Sequence, residues 1–349
     1  MGAAQSSEAL YDAHVESDFS DQSGKVVAIT GTSPGSIGFY LAKAAVAKNA
    51  KHVLLLNRES ERAVKAEEEL KKECSGDTTV HTITIDLLSF DSVRKASTEI
   101  NKIADENGGL DVLACNAGIM AFADKRSTEG YDVQMHSNQS SHYLLTQLCM
   151  GSLEKASSTR GEARVVYHSS SARFDMKNTD GGEDLDSKYF DKCDPGTLGG
   201  DGAIAPWSRY HQTKLANSAF AMALHDKLKE KGSKVKALSC DPGYSASNLQ
   251  STAEKGGLFL KVFVGLAPIF RYVQSPADGS LDIGMCCFSP DANSGDFYMP
   301  SSKGGMVGKP KKSISGGMPV KSGTEAESVS EENKKLVMDK CEEIFGSIF

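Results

Sequence analysis

A tyrosine and a lysine stand four residues apart in one helical segment, and this pair could exchange a proton with a substrate. Tyr210 and Lys214 begin a stretch whose apolar residues continue at helical spacing as far as Ala223. On a helix, residues i and i+4 share a face, so the ammonium group would lie beside the phenol and favour its ionised form. A tyrosine tuned in this way can act as a general acid or base near neutral pH. Alone, the pair is equally consistent with a contact on a helix surface.

A glycine-rich turn between a strand and a helix predicts a nucleotide-binding site. Residues 25–30 form a short β-branched run, and residues 39–47 read as a helix. Glycines let the backbone approach a pyrophosphate closely, and the N-terminus of the following helix offers free N–H groups. A turn that binds no ligand is the alternative. The candidate cofactor contacts in this turn are Gly31, Ser33, Gly35, Ser36, Ile37 and Gly38.

The end of the second predicted strand bears on the choice of nicotinamide cofactor. Residues 52–56 are followed by Asn57 and Arg58, where an NAD site usually places a carboxylate for the ribose 2′-hydroxyl. The forked guanidinium of Arg58 suits a 2′-phosphate instead. The sequence therefore predicts NADP(H), with Asn57 and Arg58 as contacts. The alternative is a surface arginine paired with Glu59 or Glu61.

Three further predicted strands end in small or polar residues. Ligands of open α/β sheets bind outside the carboxyl ends of the strands, so these endings are candidate contacts for the cofactor or the substrate. Asn116 could equally do no more than cap its strand. The endings are Asp86-Leu87 after strand 80–85, Asn116-Ala117-Gly118 after strand 110–115, and Ser169-Ser170-Ser171 after strand 163–168.

Composition and charge exclude several classes of function. The chain has 349 residues, of which 39% are hydrophobic and 24% charged, and its net charge is −7. Without a dense basic block, nucleic acid is not an expected partner. The eight cysteines are scattered, show no metal-binding spacing and accompany no secretory signal. We therefore expect no metal and a cytoplasmic, reducing location.

The chain is expected to consist of a flexible N-terminal tail, residues 1–22, and one cofactor-binding domain, residues 23–349. Gly2 and Ser6 fit the N-myristoylation pattern, while an unmodified disordered tail is the alternative. One acyl chain without a basic patch would attach the protein to a membrane only weakly.

Four segments lie outside the predicted strands. Residues 173–205, rich in Asp, Glu and Gly, are expected to form a solvated loop over the active site. Residues 250–275 contain an apolar and aromatic stretch, Leu258 to Val273, and we interpret them as a flap over a lipophilic substrate. An amphipathic core helix or a segment in contact with a membrane surface are the alternatives. Residues 300–323 read as a linker, and residues 330–348 predict a C-terminal helix.

Taken in order, these features resemble the short-chain dehydrogenase/reductase family over about residues 24–300. Within that family the chain is most similar to the retinol-dehydrogenase-like and WW-domain-oxidoreductase-like branch, and the protochlorophyllide reductases are a nearby branch. The residues that carry the resemblance are Thr30 with the glycine turn, Leu56-Asn57-Arg58, residues 86–93, Asn116-Ala117-Gly118, Asn138 in its His-Ser-Asn-Gln-Ser-Ser-His run, Ser170, and residues 210–217.

The resemblance implies a role for each of four side chains. Tyr210 would exchange the proton, and Lys214 would lower the pKa of Tyr210 and bind the nicotinamide ribose. Ser170 would orient the substrate carbonyl, and Asn138 would hold a water molecule of a proton relay. A polar residue on an exposed helix face is the alternative for Asn138.

The resemblance also implies that the turn Pro242-Gly243 and the following Ser247 close over the nicotinamide. One departure concerns the glycine turn, because the family pattern is T-G-x-x-x-G-x-G and this turn is one residue longer. Either Gly35 or Ser36 then fills the place of the second glycine.

These observations predict a single-domain α/β fold, a three-layer Rossmann-type doubly wound parallel sheet of about seven strands. The expected function is NADP(H)-dependent hydride transfer to or from the carbonyl or alcohol group of a lipophilic substrate, such as a retinal-like or other aldehyde or ketone. The alternatives are an NADPH-binding scaffold or redox sensor with little turnover, and a C=C reductase similar to protochlorophyllide reductase. Weak membrane association and a homodimer are left open.

Overall fold

A single eight-stranded sheet forms the centre of the computed structural model, which describes residues 9–173, 184–202, 204–245, 273–302, 307–314 and 330–349. Its strands are β1 Val26–Thr30, β2 His52–Asn57, β3 Thr79–Thr84, β4 Val112–Cys115, β5 Ala163–His168, β6 Val235–Cys240, β7 Phe297–Ser302 and β8 Val307–Ile314. The spatial order is β3-β2-β1-β4-β5-β6-β7-β8. All neighbouring strands are parallel except β7 and β8, which are antiparallel.

Helices cover both faces of the sheet. They are α1 Ala9–Ser17, α2 Ile37–Ala47, α3 Glu61–Glu73, α4 Phe90–Glu106, α5 Val133–Met135, α6 Ser141–Arg160, α7 Ala205–Glu230, α8 Pro276–Gly279, α9 Leu281–Phe288 and α10 Glu331–Phe345. Side chains of α1, α2, α3 and α9 form the core on one face, and side chains of α4, α6, α7 and α10 form it on the other. Because both faces are covered, β1, β4 and β5 are buried along their whole length.

The three-layer fold predicted from the sequence is confirmed, with one more strand than the expected seven. The additional strand is β8, in residues 300–323, which were expected to be a linker. Its sequence, Val-Gly-Lys-Pro-Lys-Lys-Ser-Ile, reads as a linker because Pro and Lys are rare in central strands. Both residues suit an edge strand, where one side of the backbone faces solvent and charge prevents pairing with other chains.

The N-terminal segment also differs from its expectation as a flexible tail. Residues 9–17 form α1, and Tyr11, Val15 and Phe19 are buried against the core. The spacing of four residues places Tyr11 and Val15 on one face of α1, and Phe19 follows just after its end. The small and acidic residues around them conceal this pattern in the sequence. Gly2 and Ser6 lie outside the described residues.

The remaining segments are described only in part. The C-terminal helix α10 runs from Glu331 to Phe345 and begins at the N-cap Ser330. The apolar residues 246–272, which contain most of the expected flap, lie outside the described part of the chain. None of the helices in the described ranges is both long and apolar enough to cross a bilayer.

Candidate active site

The site lies at the carboxyl ends of the parallel strands. The strand order reverses between β1 and β4, and a crevice that can hold a ligand opens where the chain leaves such neighbouring strands in opposite directions. The glycine turn follows β1, and residues 116–118 follow β4. This edge is therefore where the residues predicted from the sequence are expected to meet.

Two of the three glycines are required by close packing. Gly31 has a φ of +75°, and a Cβ atom there would lie 2.9 Å from Cβ of Ala117. A Cβ atom on Gly38 would lie 2.5 Å from the carbonyl oxygen of Gly31 and 2.6 Å from Nδ2 of Asn116. These distances are too short for a Cβ atom at either position. The two glycines therefore allow the turn, α2 and the end of β4 to pack closely together.

Gly35 and Ser36 share the task of accommodating the longer turn. Gly35 has a φ of +70°, and no atom lies within 4 Å of the Cβ that it lacks. Ser36 is the N-cap of α2, because its Oγ accepts a hydrogen bond from the N–H of Phe39 at 3.2 Å. The same hydroxyl donates to the carbonyl of Gly31 at 3.2 Å, and the N–H of Ser36 donates to the carbonyl of Ser33.

The start of α2 fits an anionic group such as a cofactor pyrophosphate. In the described part of the chain, no acceptor is recorded for the N–H groups of Ile37 and Gly38. Gly35 is exposed beside them, and no side chain fills the space above its backbone. Free helix N–H groups and the positive end of the helix dipole favour negative charge at this position.

Asn57 and Arg58, at the end of β2, have different surroundings. Asn57 is buried, and its Oδ1 accepts from the N–H of Thr32 at 2.9 Å while its Nδ2 donates to the Thr32 hydroxyl at 2.7 Å. Asn57 therefore holds the glycine turn through Thr32, and both polar groups of its side chain take part in these hydrogen bonds. Arg58 is exposed, and the structure records no ion pair between its guanidinium and Glu59 or Glu61 within the described residues.

Asp86 and Leu87 follow β3 at the same edge of the sheet. The carboxylate of Asp86 accepts from the N–H of Leu88 at 3.0 Å, and its own N–H donates to the Ser92 hydroxyl. Leu87 is buried, and its carbonyl accepts from the Ser141 hydroxyl at 2.7 Å. These bonds fix the turn from β3 into α4 and leave the Asp86 side chain partly exposed.

Asn116 links the glycine turn to the end of β5. Its Nδ2 donates to the carbonyls of Thr30 and Gly31 at 2.9 and 3.3 Å, and its Oδ1 lies 2.8 Å from Nδ1 of His168. The Thr30 hydroxyl accepts from the N–H groups of Asn116 and Ala117, both at 2.9 Å. Burial lowers the pKa of His168 to about 3, so the ring is neutral and its Nδ1–H can donate to Asn116.

Asn138 lies in a π-helical turn, His136–Ser140, between α5 and α6. Its side chain forms a pair of hydrogen bonds with the backbone of Ile119, both at 2.8 Å, and donates to the Thr213 hydroxyl at 3.1 Å. The Asn138 carbonyl oxygen lies 3.0 Å from Nδ1 of His142. The side chain therefore joins the loop after β4 to α7, and its part in a proton relay stays a prediction.

Tyr210, Ser170 and Lys214 converge beside this network. Tyr210 and Lys214 lie on consecutive turns of α7, with Nζ of Lys214 5.6 Å from the centre of the Tyr210 ring. Nζ donates to the His168 carbonyl at 2.9 Å, and the Ser170 and Tyr210 side chains are hydrogen-bonded to each other. A Cβ atom on Gly118 would lie 3.6 Å from Nζ of Lys214, so the loop after β4 passes close to this group.

Burial has a larger effect than charge on this pair. It raises the pKa of Tyr210 well above its ordinary value, and the hydrogen bond with Ser170 opposes this only in part. It also lowers the pKa of Lys214 to about 8. The net shift of the Tyr210 pKa is therefore upward, opposite in direction to the shift expected from Lys214, because burial penalises the phenolate and Nζ donates to the His168 carbonyl.

The segment after β6 completes the edge. The Asp241 carboxylate accepts from the N–H of Gly243 at 2.9 Å and lies 3.8 Å from the guanidinium of Arg173, and both charged groups are fully buried. The Pro242 carbonyl accepts from the Ser245 hydroxyl at 3.0 Å. Ser247 lies outside the described residues.

The insertion between Ser170 and Tyr210 is docked in the part that the structure describes. Its residues 184–202 contact the loop after β4, where the N–H of Gly196 donates to Asp124 at 2.6 Å and the N–H of Asp124 donates to Asp201 at 2.7 Å. Most residues of this part are exposed, and these hydrogen bonds attach it to the loop after β4. Its expected position over the active site stays a prediction.

Sequence reasoning missed three residues that organise the site. The signal for His168 was a polar residue at the end of an apolar strand, immediately before the serine triplet. Thr30 stands directly before the glycine turn and shows no further signal, and no pattern marks Arg209. All three are buried and act through hydrogen bonds to backbone or amide groups, which a sequence pattern does not display.

The chain is similar in sequence to known oxidoreductases. The family model for short chain dehydrogenases matches residues 25–179. A short-chain dehydrogenase/reductase of Armillaria gallica is 31% identical over 303 residues, which cover 84% of this chain and 86% of that protein. The polyprenol dehydrogenase of Danio rerio is 27% identical over 75% of this chain and 74% of that protein. An uncharacterized oxidoreductase of Schizosaccharomyces pombe is 30% identical over 66% of this chain, and the match spans 63% of its own length.

Solved structures show the same fold. An uncharacterized protein from Mycobacterium paratuberculosis superposes with a TM-score of 0.63 at 22% identity, over 95% of this chain and 96% of that chain. The L-sorbose reductase from Gluconobacter frateurii, solved with NADPH and L-sorbose, superposes with a TM-score of 0.58 at 20% identity. That match covers 82% of this chain and 98% of the reductase.

Proposed function

The chain belongs to the short-chain dehydrogenase/reductase family of oxidoreductases, and we propose that it is an NADP(H)-dependent enzyme that interconverts a carbonyl and an alcohol. The observation that carries the proposal is the convergence of Tyr210, Ser170 and Lys214 at the edge where the glycine turn opens. A protein that only bound the nucleotide would have no need for a buried phenol and a hydroxyl at that position.

The chain's own groups supply the proton chemistry of a reduction. NADPH, when bound, supplies the hydride for the carbonyl carbon. Because its pKa is raised, Tyr210 keeps its proton at neutral pH and can give it to the carbonyl oxygen as charge develops there. The Ser170 hydroxyl can donate a hydrogen bond to the same oxygen. Lys214 holds a positive charge next to Tyr210 below about pH 8, which stabilises the phenolate that remains.

The preference for NADP(H) over NAD(H) rests on Arg58. Its guanidinium is exposed at the end of β2, where it has no recorded acid partner among the described residues, and Asn57 beside it is turned toward the glycine turn. A free guanidinium can hold a 2′-phosphate with two parallel hydrogen bonds.

We expect Arg58→Ala to weaken NADPH binding by about 10-fold or more, since a hydrogen bond between charged groups contributes roughly 1.5–3 kcal/mol. NADH affinity should change little. The measurement is titration of each cofactor by nicotinamide fluorescence. Arg62→Ala, on the exposed side of α3, is the matched control. Equal losses for NADPH and NADH would contradict the assignment of Arg58 to the 2′-phosphate.

A lipophilic substrate is the favoured class. The branch of the family that the sequence resembles acts on such substrates, and two polyprenol dehydrogenases, from Danio rerio and Homo sapiens, are among the relatives. We propose an aldehyde, ketone or alcohol with a long apolar chain, for which retinal-like and polyprenol-like compounds are the first to screen.

The decisive variant is Tyr210→Phe, which removes one hydroxyl from the buried site. We expect turnover to fall by about 100-fold or more, because general acid catalysis contributes 10²–10⁴-fold, while NADPH still raises the melting temperature. The matched control is Tyr143→Phe, whose hydroxyl donates to the Gly346 carbonyl far along the chain. Turnover of Tyr210→Phe at the wild-type rate would exclude the proposed mechanism, and a wild type that binds NADPH without turnover would favour a binding scaffold.

A further inference from the structure

Arg209, the residue before Tyr210, is buried with its whole side chain. Its relative exposure is 0%, and its Nε lies 3.4 Å from the equally buried carboxylate of Asp132. Its two terminal nitrogens donate to three backbone carbonyls: Nη1 to Gly200 at 2.7 Å and Leu198 at 3.3 Å, and Nη2 to Phe122 at 3.1 Å. One side chain therefore connects α7 to two separate loops.

These two loops also contact each other directly. We call residues 119–124 the inner segment and residues 194–202 the outer segment. Asp124 bonds both Gly196 and Asp201, as described for the insertion. An ion pair between Arg126 and Asp194 lies on the exposed side of the same junction. Arg209 holds the buried side, where water cannot replace its hydrogen bonds.

The inner segment begins at the reacting groups. It follows Gly118, which passes close to Lys214, and its first residue is fixed by the paired hydrogen bonds between Ile119 and Asn138. Ala121, in its middle, is fully buried with a φ of +47°, a left-handed conformation that is unfavourable for a residue other than glycine. Such a conformation persists only where neighbouring contacts hold it. The Arg209 bond to the adjacent Phe122 carbonyl is one of those contacts.

We propose that Arg209 is a positioning residue that fixes the inner and outer segments as a wall of the substrate pocket beside Tyr210, and so determines which substrate sizes are accepted. This inference rests on the proposed function, since it concerns the substrate of the same site. Asp132 fixes the direction of the guanidinium, because its other oxygen is held by the N–H groups of Gln134 and Met135 at the start of α5.

An arginine is required by this geometry. Three carbonyls and one carboxylate surround the guanidinium, and its planar fork offers five N–H donors in fixed directions. A lysine at the same position could approach only part of this set from a single nitrogen. Arg209→Lys should therefore keep the charge opposite Asp132 but release at least one of the two segments.

The test compares Arg209→Met and Arg209→Lys with Arg164→Met. Arg164 is the matched control. It is a buried arginine that donates to the backbone carbonyls of Cys286 and Ser289, and it lies near the amino end of β5, away from the site. For each full-length variant, kcat and KM are measured with a short and a long aliphatic aldehyde, and NADPH affinity is measured separately. Hydrogen exchange is followed at the amides of the inner and outer segments.

We expect Arg209→Met to raise KM by about 10-fold or more, since small misplacements of positioning groups have effects of this size. NADPH affinity should stay within about 2-fold, because no atom of Arg209 faces the glycine turn. The ratio of kcat/KM between the two aldehydes should change, and the amides of both segments should exchange faster. Arg209→Lys should fall between wild type and Arg209→Met, and it serves as the second variant if Arg209→Met does not fold.

Two results would overturn the inference. The first is an Arg209→Met enzyme with the aldehyde ratio of the wild type, and the second is unchanged exchange at both segments. Failure of the proposed function looks different, because the wild type itself would then bind no NADPH or reduce neither aldehyde. In that case the aldehyde comparison would also count against a role of Arg209 in specificity. Hydrogen exchange would still show whether Arg209 holds the inner and outer segments in place.

Discussion

At the scale of single residues, burial sets the ionisation of the groups that would do chemistry. Lys214 and Tyr210 are both almost fully buried, and each is shifted toward its neutral form. Lys214 keeps one strong bond, to the carbonyl of His168, which also accepts from Asn217 at 3.0 Å. A buried ammonium of this kind lowers the stability of the folded protein, and such groups are typical of functional sites.

Replacement of Lys214 by Met should therefore stabilise the protein at neutral pH. Burial lowers the pKa of Lys214 from 10.5 to about 8, so below pH 8 the buried charge reduces the free energy of unfolding by on the order of 3 kcal/mol. Between pH 8 and 10.5 the unfolded chain binds more protons than the folded chain, and this reduction fades as the pH rises.

The measurement is urea unfolding of wild type and Lys214→Met at pH 7 and pH 9.5, without cofactor. The advantage of the variant should fall by about half at the higher pH. Lys65→Met, at an exposed lysine of α3, should show no advantage at either pH. An advantage for Lys214→Met that is the same at both pH values would show that packing, and not the buried charge, is responsible.

The sequence singled out the candidate reacting residues and not the residues that hold them. Tyr210 and Lys214 follow from their spacing, and Ser170 from a resemblance at the end of a strand. His168 and Arg209 act through backbone carbonyls and amide groups that lie far away in the chain, so no local pattern marks them. The direction of the Tyr210 pKa shift also depends on burial, which the spacing of two residues does not contain.

At the scale of elements, the starts of several helices are fixed by a serine. Ser36, Ser60, Ser89 and Ser330 each accept a hydrogen bond from an N–H group three residues ahead and are the N-caps of α2, α3, α4 and α10. The cap of α2 differs from the others because its hydroxyl also donates to the glycine turn. It therefore serves the helix and the proposed cofactor site together.

Ser36→Ala and Ser330→Ala separate these two tasks. Each should lower the free energy of unfolding by about 1 kcal/mol, which is typical for the loss of an N-cap. Only Ser36→Ala should also weaken NADPH binding, because Ser330 caps α10 and not the helix that follows the glycine turn. Thermal unfolding with and without NADPH measures both effects. Equal NADPH affinity in the two variants would place the pyrophosphate away from the start of α2.

Element prediction succeeded where hydrophobic pattern and burial agree. The strand predicted at 163–168 matches β5, and those predicted for β1, β2 and β3 differ from the structure by at most one residue at each end. It failed for α1 and β8, which are peripheral. A short helix and an edge strand owe their structure to contacts with distant parts of the chain, and their own composition is that of a tail and a linker.

At the scale of the whole molecule, the two ends of the described chain close opposite faces of the sheet. α1 packs with α2 and α8, and α10 packs with α6 and α7. Phe19 follows α1 and meets Phe288 edge-on at 5.7 Å. Gly284 makes room for it, because a Cβ atom there would lie 2.4 Å from the Phe19 ring.

Phe19→Ala should therefore be among the more destabilising changes on the molecule. Loss of a buried phenylalanine typically costs about 3–5 kcal/mol, and Phe19 is only 5% exposed. The matched control is Phe349→Ala, at the far end of the described chain, where the ring is 38% exposed and a near-neutral effect is expected. Urea unfolding measures both. Similar stabilities for the two variants would mean that α1 contributes little to the fold.

The position of α1 also has a consequence during synthesis on the ribosome. The N–H of Tyr11 is bonded to the carboxylate of Asp278, 267 residues later in the chain, and the Ser20 hydroxyl is bonded to the Phe288 carbonyl, 268 residues later. At about 5–20 residues per second, translation needs roughly 15–50 s to deliver these partners. A helix of nine residues is too short to persist alone for that time. α1 is therefore made long before α8 and α9, and until these have formed, the apolar side chains of Tyr11, Val15 and Phe19 stay accessible to chaperones.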